Sequence, residues 1–187
     1  MAGGLSPPHG VPGTITLTPQ TFKSIVTEYV GSLGAHGFET VLVIPSHGGN
    51  FGPLRELEAE TGGRIGGARF VPYTDLLRFV EVMSEVGLAD GLPAEVSESH
   101  AGEAETSILL ALTPALVAMD RAVAGYDKPL DAEMAARLFE FGTTALSEVG
   151  VLGDARPATA ERGGRYLDVL VDLLVGYFGQ TTGTTSA

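Results

Sequence analysis

The segment VLVIPSHGGN, from Val41 to Asn50, restricts the fold more than any other part of the sequence. Every residue from Thr40 to Pro45 is apolar or β-branched, and this run predicts a fully buried strand of a parallel sheet. Helical periodicity before and after this segment indicates that helices alternate with short strands. The sequence therefore predicts an α/β fold with a mostly parallel central sheet.

The remaining elements follow from the spacing of apolar residues and from capping signals. Thr18 and Pro19 are typical of the N-cap and the first residue of a helix. The predicted helices span about 19–34, 52–60, 74–86, 106–112, 131–150 and 158–178, with a second short strand over 69–72. Residues 1–179 are predicted to form one domain, and residues 180–187 a disordered tail.

The composition argues against several classes of function. The chain has 187 residues and a net charge of -12, which disfavours binding to nucleic acid or to anionic membrane surfaces. It has no cysteine, so a metal would be held by His, Asp and Glu, a set that suits zinc, manganese or iron. No apolar run reaches the roughly 18 residues of a membrane span, and the N-terminus does not have the pattern of a secretory signal. A cytoplasmic location is therefore predicted.

His47 follows the first predicted strand by two residues and precedes two glycines. In open parallel sheets, ligands bind beyond the carboxyl ends of the strands, which is where this histidine is expected to lie. Gly48 and Gly49 would let a substrate or a metal approach the backbone closely, and Asn50 can donate and accept hydrogen bonds or cap the next helix. From the residues alone, both a functional site and a simple helix start are open for His47.

The segment SESHAGEAETS, residues 97–107, is a second candidate site. His100 and Glu103 are three residues apart and would share one face of a helical turn, as two metal ligands or as a ligand and a general base. The alternative is a solvated acidic helix start, in which Glu103 and Glu105 complement the helix dipole.

Two further histidines and one Gly-rich segment lie outside these two candidate sites. His9 lies in a Pro- and Gly-rich loop that could line a pocket, and His36, at a helix end, is interpreted as structural. GGRIGGARF matches neither a phosphate-binding loop nor a dinucleotide-binding spacing, so no nucleotide site is predicted.

Four segments together resemble the creatininase (creatinine amidohydrolase) family. SHGGN after a buried strand is followed further along by HAGEAETSILLAL, a combination that is specific where HGGN alone is weak. SPPHGVPGTITLTPQTF resembles the family's S-x-x-H…PGT segment, and VGVLGDARPATAERG resembles its closing G-x-x-G-D-P…A…G segment. The resemblance covers nearly the whole chain, in the family's order.

This resemblance implies a three-layer α/β/α sandwich and a two-metal hydrolase. Members cleave C–N bonds of cyclic amides, formamides or other small amides, some act on peptides during cofactor maturation, and they usually assemble as homo-oligomers. In such sites a metal-bound hydroxide attacks the amide carbon while a carboxylate or a histidine carries the proton. The expected function is hydrolysis of a small cyclic or related amide. The alternatives are a cofactor-maturation peptidase and a non-catalytic remnant or subunit of the family.

The resemblance also implies roles for individual residues. His47 falls on a metal-binding histidine. Glu103 is the candidate for a second metal ligand, because Gly49 stands where creatininase itself has a ligating Glu. The predicted catalytic residues are His100, which falls on the proton-transferring histidine, and Glu105, which is expected to orient its loop. The predicted substrate-binding residues are Ser6, His9, Gly48, Gly49 and Asn50.

The chain departs from the family's pattern at its start. The family begins with a strand, a Glu-x-His pair and an Asp that supply three ligands, and no Glu-x-His pair precedes His47 here. The explanations are a misplaced gene start, a natural fragment that has lost hydrolysis, and a partner polypeptide that supplies the ligands. The first is favoured, because loss of an interior strand would expose two ladders of backbone N–H and C=O groups. The chain as it stands is expected to bind metal weakly and to have little activity.

Overall fold

The computed structural model describes residues 14–97, 100–129 and 131–183, in which helices alternate with short strands. In chain order the elements are α1 (Pro19–Ala35), β1 (Thr40–Val43), α2 (Phe51–Thr61), β2 (Arg64–Ile65), β3 (Ala68–Pro72), α3 (Leu76–Ala89), α4 (Ala94–Ser97), α5 (Glu103–Leu112), α6 (Ala132–Phe141) and α7 (Ala160–Thr182). Short 3₁₀ turns lie at Gly48–Asn50, Pro114–Leu116, Met119–Arg121 and Thr143–Ala145. None of the helices in this part of the chain combines the length and the hydropathy that a bilayer span needs.

The described residues form two compact units. Of these residues, 15–76 and 174–183 belong to the first unit, and residue 14 and the described part of 77–173 belong to the second, so that α7 contributes residues to both. The single domain expected over residues 1–179 stays a prediction.

A three-stranded sheet of order β1-β3-β2 forms the centre of the first unit. β1 runs parallel to β3, with Leu42 beside Val71, and β2 runs antiparallel to β3, with Ile65 beside Ala68. The predicted α/β class is confirmed. The described sheet is mixed, so the prediction that it is mostly parallel is not confirmed. The two-residue strand β2 was not predicted because it lies between two glycine pairs and is too short to show a periodicity.

Helical residues contact both faces of β3 within the first unit. Phe70 packs with Val30 of α1 and Leu54 of α2 in a buried cluster. Successive residues of a strand face opposite sides of the sheet, so Arg69 lies on the other face. There its guanidinium donates a hydrogen bond to the Thr181 carbonyl of α7 at 2.6 Å. The order helix, sheet, helix in this unit is that of the predicted sandwich.

β1 is not buried on both faces, contrary to the prediction. Val41 and Val43 are half-buried against the cluster around Phe70, whereas Leu42 is 45% exposed and Ile44, just after the strand, is 53% exposed. β1 is an edge strand of the described sheet, with β3 as its one neighbouring strand there. The apolar run predicted burial from composition, but the position of a strand in its sheet decides which side chains are covered.

Element boundaries agree with the sequence where a capping residue sets them. The Thr18 hydroxyl accepts a hydrogen bond from the Thr21 amide at 3.2 Å, which starts α1 as predicted. α5 begins at Glu103, three residues before the predicted start, because the carboxylate-rich segment enters the helix. α6 ends at Phe141 instead of continuing to 150, because Gly142 turns the chain with φ +83°.

The last helix also continues past its predicted end. The hydroxyls of Thr181 and Thr182 donate hydrogen bonds to the carbonyls of Tyr177 and Phe178, both at 2.7 Å. The first residues of the predicted tail are therefore helical, and residues 184–187 lie outside the described part of the chain.

Helices α3, α5 and the start of α7 pack together in the second unit. Val86 of α3, Ala104 of α5 and Tyr166 of α7 form its buried cluster. α5 and α7 approach closely at Gly163, where an added Cβ atom would lie 1.9 Å from the Ser107 carbonyl oxygen. This backbone contact leaves no room for a side chain.

The close approach at Gly163 predicts the effect of adding one methyl group. Gly163→Ala should lower the free energy of unfolding by about 1–3 kcal/mol, because α5 and α7 must move apart. Gly164→Ala is the matched control: a Cβ there meets no atom within 4 Å, and the change should be neutral or stabilise by up to about 1 kcal/mol. Urea denaturation measures both effects, and equal stability of the two variants would contradict the close approach.

Candidate functional site

His47 follows β1 in the first unit and begins the 3₁₀ turn Gly48–Asn50. Its Nδ1 accepts a hydrogen bond from the Gly49 amide at 3.2 Å, and its carbonyl accepts one from the Asn50 amide at 2.9 Å. With extended backbone angles of φ -138° and ψ 131°, His47 has the geometry of an N-cap residue. The sequence left open that His47 only starts a helix, and these two hydrogen bonds are the ones that such a helix start makes.

This cap constrains how His47 can bind a metal. An imidazole nitrogen that accepts a hydrogen bond carries no proton, so the neutral ring has its proton on Nε2. Ligation through Nδ1 would displace the Gly49 amide, and ligation through Nε2 would move the proton to Nδ1, facing the Gly49 N–H. A metal on either nitrogen therefore excludes the cap.

Three of the predicted substrate-binding residues, Gly48, Gly49 and Asn50, form this turn. An added Cβ at Gly48 would meet no atom within 4 Å, so the backbone there is open. Asn50 is buried and its side chain does not cap α2, which corrects the suggestion that it caps the next helix. The reason is that its backbone is already helical, with φ -87° and ψ -19°. The other two, Ser6 and His9, lie outside the described residues.

The second candidate segment contains an exposed histidine on a constrained loop, residues 100–102. The His100 side chain is exposed, and its carbonyl accepts a hydrogen bond from the Leu152 amide at 2.8 Å. Ala101 has φ +54°, a left-handed conformation that is uncommon for a residue with a Cβ. The Ala101 amide donates to Oε2 of Glu105 at 2.6 Å. Glu105 would orient the loop through this hydrogen bond, and that role stays a prediction.

Glu103, the first residue of α5, is fully buried, with 0% of its surface exposed. Its Oε1 accepts hydrogen bonds from the Ser107 hydroxyl and the Arg162 guanidinium, and its Oε2 accepts one from the Tyr166 hydroxyl, each at 2.5 Å. An ionised carboxylate removed from water is tolerated only when it is paired and hydrogen-bonded, and this one is both.

These contacts do not fit the predicted role of Glu103 as a metal ligand. Both of its oxygens accept hydrogen bonds from donors inside the second unit, so a metal would have to displace Arg162 or Tyr166. The structure assigns Glu103 to an internal ion pair instead. The metal-ligand role of Glu103 stays a prediction, and nothing in the carboxylate-rich segment indicates that one of its members is buried.

The ion pair extends to Asp90, which follows α3. Nε of Arg162 donates to Oδ2 of Asp90 at 2.8 Å, and Arg165 donates to the same oxygen. The hydrogen bonds from Arg165 and Arg162 lower the pKa of Asp90 to about 2. Burial opposes the charge on Arg162, but the carboxylates of Glu103 and Asp90 outweigh it and raise its pKa. Burial, together with the Glu103 carboxylate, raises the pKa of Tyr166, which therefore stays a hydrogen-bond donor.

The described residues contain no group of three His, Cys, Asp or Glu side chains that could hold a metal ion. His47 belongs to the first unit, and His100, Glu103 and Glu105 belong to the second. Glu98, which forms a Glu-x-His pair with His100 in the sequence, lies outside the described residues. With His47 in its cap and Glu103 in its ion pair, the described donor set does not fit a divalent metal.

The partners of Glu103 were not predicted from the sequence. A signal was present, since Arg162 and Tyr166 are four residues apart on a predicted helix and so place two donors on one face. A tyrosine on the apolar face of a helix also requires an acceptor for its hydroxyl when it is buried. The sequence could not show which carboxylate supplies that acceptor.

The cap at His47 predicts a difference between two substitutions. His47→Asn should retain most of the stability, because Asn can accept the Gly49 hydrogen bond, whereas His47→Ala should lower the free energy of unfolding by about 1 kcal/mol. His36→Ala, at the exposed end of α1, is the matched control and should have little effect. Urea unfolding separates these outcomes, and equal losses in the two His47 variants would show that the cap does not stabilise the turn.

The lowered pKa of Asp90 predicts a specific loss of stability in acid. Because its folded-state pKa of about 2 lies below the ordinary 3.8, its contacts with Arg162 and Arg165 stabilise the fold fully above about pH 4 and are lost as the pH falls towards 2. The stability difference between the wild type and Asp90→Asn should therefore shrink across this range. Urea unfolding at a series of pH values tests this, and a difference that does not vary with pH would rule it out.

Comparison with known sequences gives one family over nearly the whole chain. The sequence model of the creatininase family, described as creatinine amidohydrolase, matches residues 1–178. The mycofactocin precursor peptide peptidase of Mycobacterium ulcerans strain Agy99 is 34% identical over 174 residues, which are 91% of this chain and 60% of that protein. The chain therefore spans 60% of the length of this curated relative.

Solved structures agree with the sequence comparison. A structure described as "Creatininase Mn" is 25% identical, with a TM-score of 0.63 over 96% of this chain and 72% of its own. A creatininase mutant of the "Zn-Zn type" is also 25% identical, with a TM-score of 0.64 over 95% and 72%. The resemblance that the sequence motifs carried is confirmed, and the chain belongs to the creatininase family.

Proposed function

We propose that this protein hydrolyses an amide bond in a peptide, with a mycofactocin precursor peptide as the substrate. The observation that carries the proposal is the similarity of nearly the whole chain to a mycofactocin precursor peptide peptidase. Within the creatininase family, this similarity favours the peptidase alternative over hydrolysis of a small cyclic amide.

The turn after β1 supports a peptide substrate. It lies beyond the carboxyl end of the parallel pair β1 and β3, where ligands bind in open α/β sheets. The backbone at Gly48 is open, so an extended peptide can approach it closely. Gly48, Gly49 and Asn50 are the residues that we propose contact the substrate.

His100 is the proposed proton carrier. Hydrolysis adds water to the amide carbon and breaks the C–N bond, so a proton must pass from the water to the leaving amine. The His100 side chain is exposed, and an imidazole open to solvent can act as a general acid or base. Glu105 supports it by accepting the hydrogen bond from Ala101 that shapes the loop.

A divalent metal, zinc, manganese or iron, is the proposed cofactor, with two ions in a complete site. Support comes from relatives whose structures are described as Zn-Zn and Mn types. The described side chains of this protein do not fit such a group by themselves, because His47 is in its cap and Glu103 in its ion pair. Assembly as a homo-oligomer is proposed on the family resemblance alone, and a cytoplasmic location is proposed on the sequence pattern alone.

Two other functions are favoured by particular observations. Hydrolysis of a small cyclic amide such as creatinine is favoured by the family description and by the structures named creatininase. A non-catalytic subunit is favoured by the lack of a three-ligand group among the described residues.

The first experiment offers both substrates to the 187-residue protein. After incubation with zinc, manganese or iron, it should cleave a mycofactocin precursor peptide slowly and leave creatinine unchanged, as measured by mass spectrometry. Elemental analysis of the same samples gives the metal bound per chain. His47→Ala should lose both the metal and the cleavage, whereas His36→Ala, the matched histidine control, should keep both.

The three functions give different results in this experiment. Turnover of creatinine with an intact peptide would favour the small-amide function and overturn the proposal. No turnover of either substrate, with or without bound metal, would favour the non-catalytic subunit. Peptide cleavage that survives His47→Ala would show that the site lies elsewhere.

A further inference from the structure

We infer that Glu103 is the positioning residue for the His100 loop, residues 100–102, acting through its hydrogen bonds with Tyr166, Arg162 and Ser107. The inference rests on the proposed function in one respect, that His100 takes part in the reaction. It gives a role to a buried charged group that the proposed chemistry does not otherwise use.

Glu103 fixes the start of α5 against α7. Its carboxylate receives donors from both helices: Ser107 from α5, and Arg162 and Tyr166 from α7. A shift of the start of α5 would break all three hydrogen bonds. Because the carboxylate is buried, no water could replace the lost donors. The Ser107 hydroxyl also accepts a hydrogen bond from the Thr159 amide at 3.0 Å, which ties the same point to the segment before α7.

The loop ahead of Glu103 has little freedom of its own. The His100 carbonyl is bound by the Leu152 amide, and the Ala101 amide is bound by Glu105. An added Cβ at Gly102 would lie 2.8 Å from the Leu152 carbonyl oxygen, so the backbone passes directly against that segment.

The conformation of Ala101 shows that the loop is held from outside. A left-handed alanine is unfavourable by itself and persists where the surrounding structure fixes it. Gly102 and Ala101 are the only residues between Glu103 and His100. The place of the imidazole is therefore set by the anchoring of Glu103 on one side and by Leu152 on the other.

A purely structural role for Glu103 predicts a different pattern of effects. If Glu103 only stabilises the packing of α5 on α7, its loss lowers global stability and leaves the loop bonds of the folded protein intact. If it positions the loop, the folded protein itself shows a looser Leu152 amide and a misplaced His100. Hydrogen exchange under native conditions separates local from global opening.

The experiment compares Glu103→Gln and Tyr166→Phe with Asp90→Asn. Asp90→Asn is the matched control, because it removes the negative charge that pairs with Arg162 and Arg165 and alters no residue that bonds to Glu103. Amide exchange of Ala101 and Leu152 is followed by NMR in the folded protein. Both Glu103→Gln and Tyr166→Phe should speed this exchange by about tenfold relative to the control.

Peptide hydrolysis gives the second readout. A loop displaced by about 1 Å should lower kcat by up to about 10²-fold with KM little changed, since the substrate contacts proposed for Gly48 to Asn50 are untouched. The control variant should keep the wild-type kcat. If Glu103→Gln does not fold, Tyr166→Phe decides, because it keeps the Glu103–Arg162 ion pair.

The two readouts separate failure of this inference from failure of the proposed function. Unchanged exchange of Ala101 and Leu152 in a folded Glu103→Gln or Tyr166→Phe protein would overturn the positioning role. Faster exchange in those variants, with no peptide cleavage by the wild type, would uphold the positioning of the loop and count against the proposed function.

Discussion

A carboxylate that is completely removed from water determines how the helices of the second unit are arranged. Burying an ionised glutamate costs several kcal/mol unless donors compensate it, and removing one partner of such a pair costs about 3–5 kcal/mol. Glu103 accepts hydrogen bonds from donors on both α5 and α7. If either helix slid along the other, the buried carboxylate would lose its partners. The glycine contact at Gly163 sets the distance between the helices, and the ion pair sets their register.

This arrangement has a local consequence at the start of α5. The ends of a helix often fray, but here the first residue of α5 is fully buried and hydrogen-bonded. The loop before it can therefore keep Ala101 in a left-handed conformation that costs of order 1–3 kcal/mol. The exposed His100 lies on a loop whose backbone is held by hydrogen bonds. An exposed side chain can act with a defined orientation when the backbone that bears it is fixed in this way.

The sequence predicted features that depend on neighbouring residues and missed those that depend on distant ones. Thr18 marks the start of α1 because a cap is local. The family motifs identified the fold because they are distributed along the chain. The burial of Glu103 depends on Arg162 and Tyr166 of another helix, and the exposure of Leu42 depends on where β1 lies in its sheet. Neither property can be read from the segment that carries it.

His47 is the residue at which family membership and local geometry make opposite demands. The proposed metal site needs a nitrogen lone pair of His47, and the turn after β1 uses the Nδ1 lone pair for the Gly49 amide. The ring cannot serve both, because binding through Nε2 places a proton on Nδ1 and binding through Nδ1 removes the acceptor. A form of this protein with metal on His47 must therefore satisfy the Gly49 N–H in another way, and the backbone of Gly48 and Gly49 is flexible enough for that rearrangement. The two glycines would then allow the turn to change as well as leave space for a substrate.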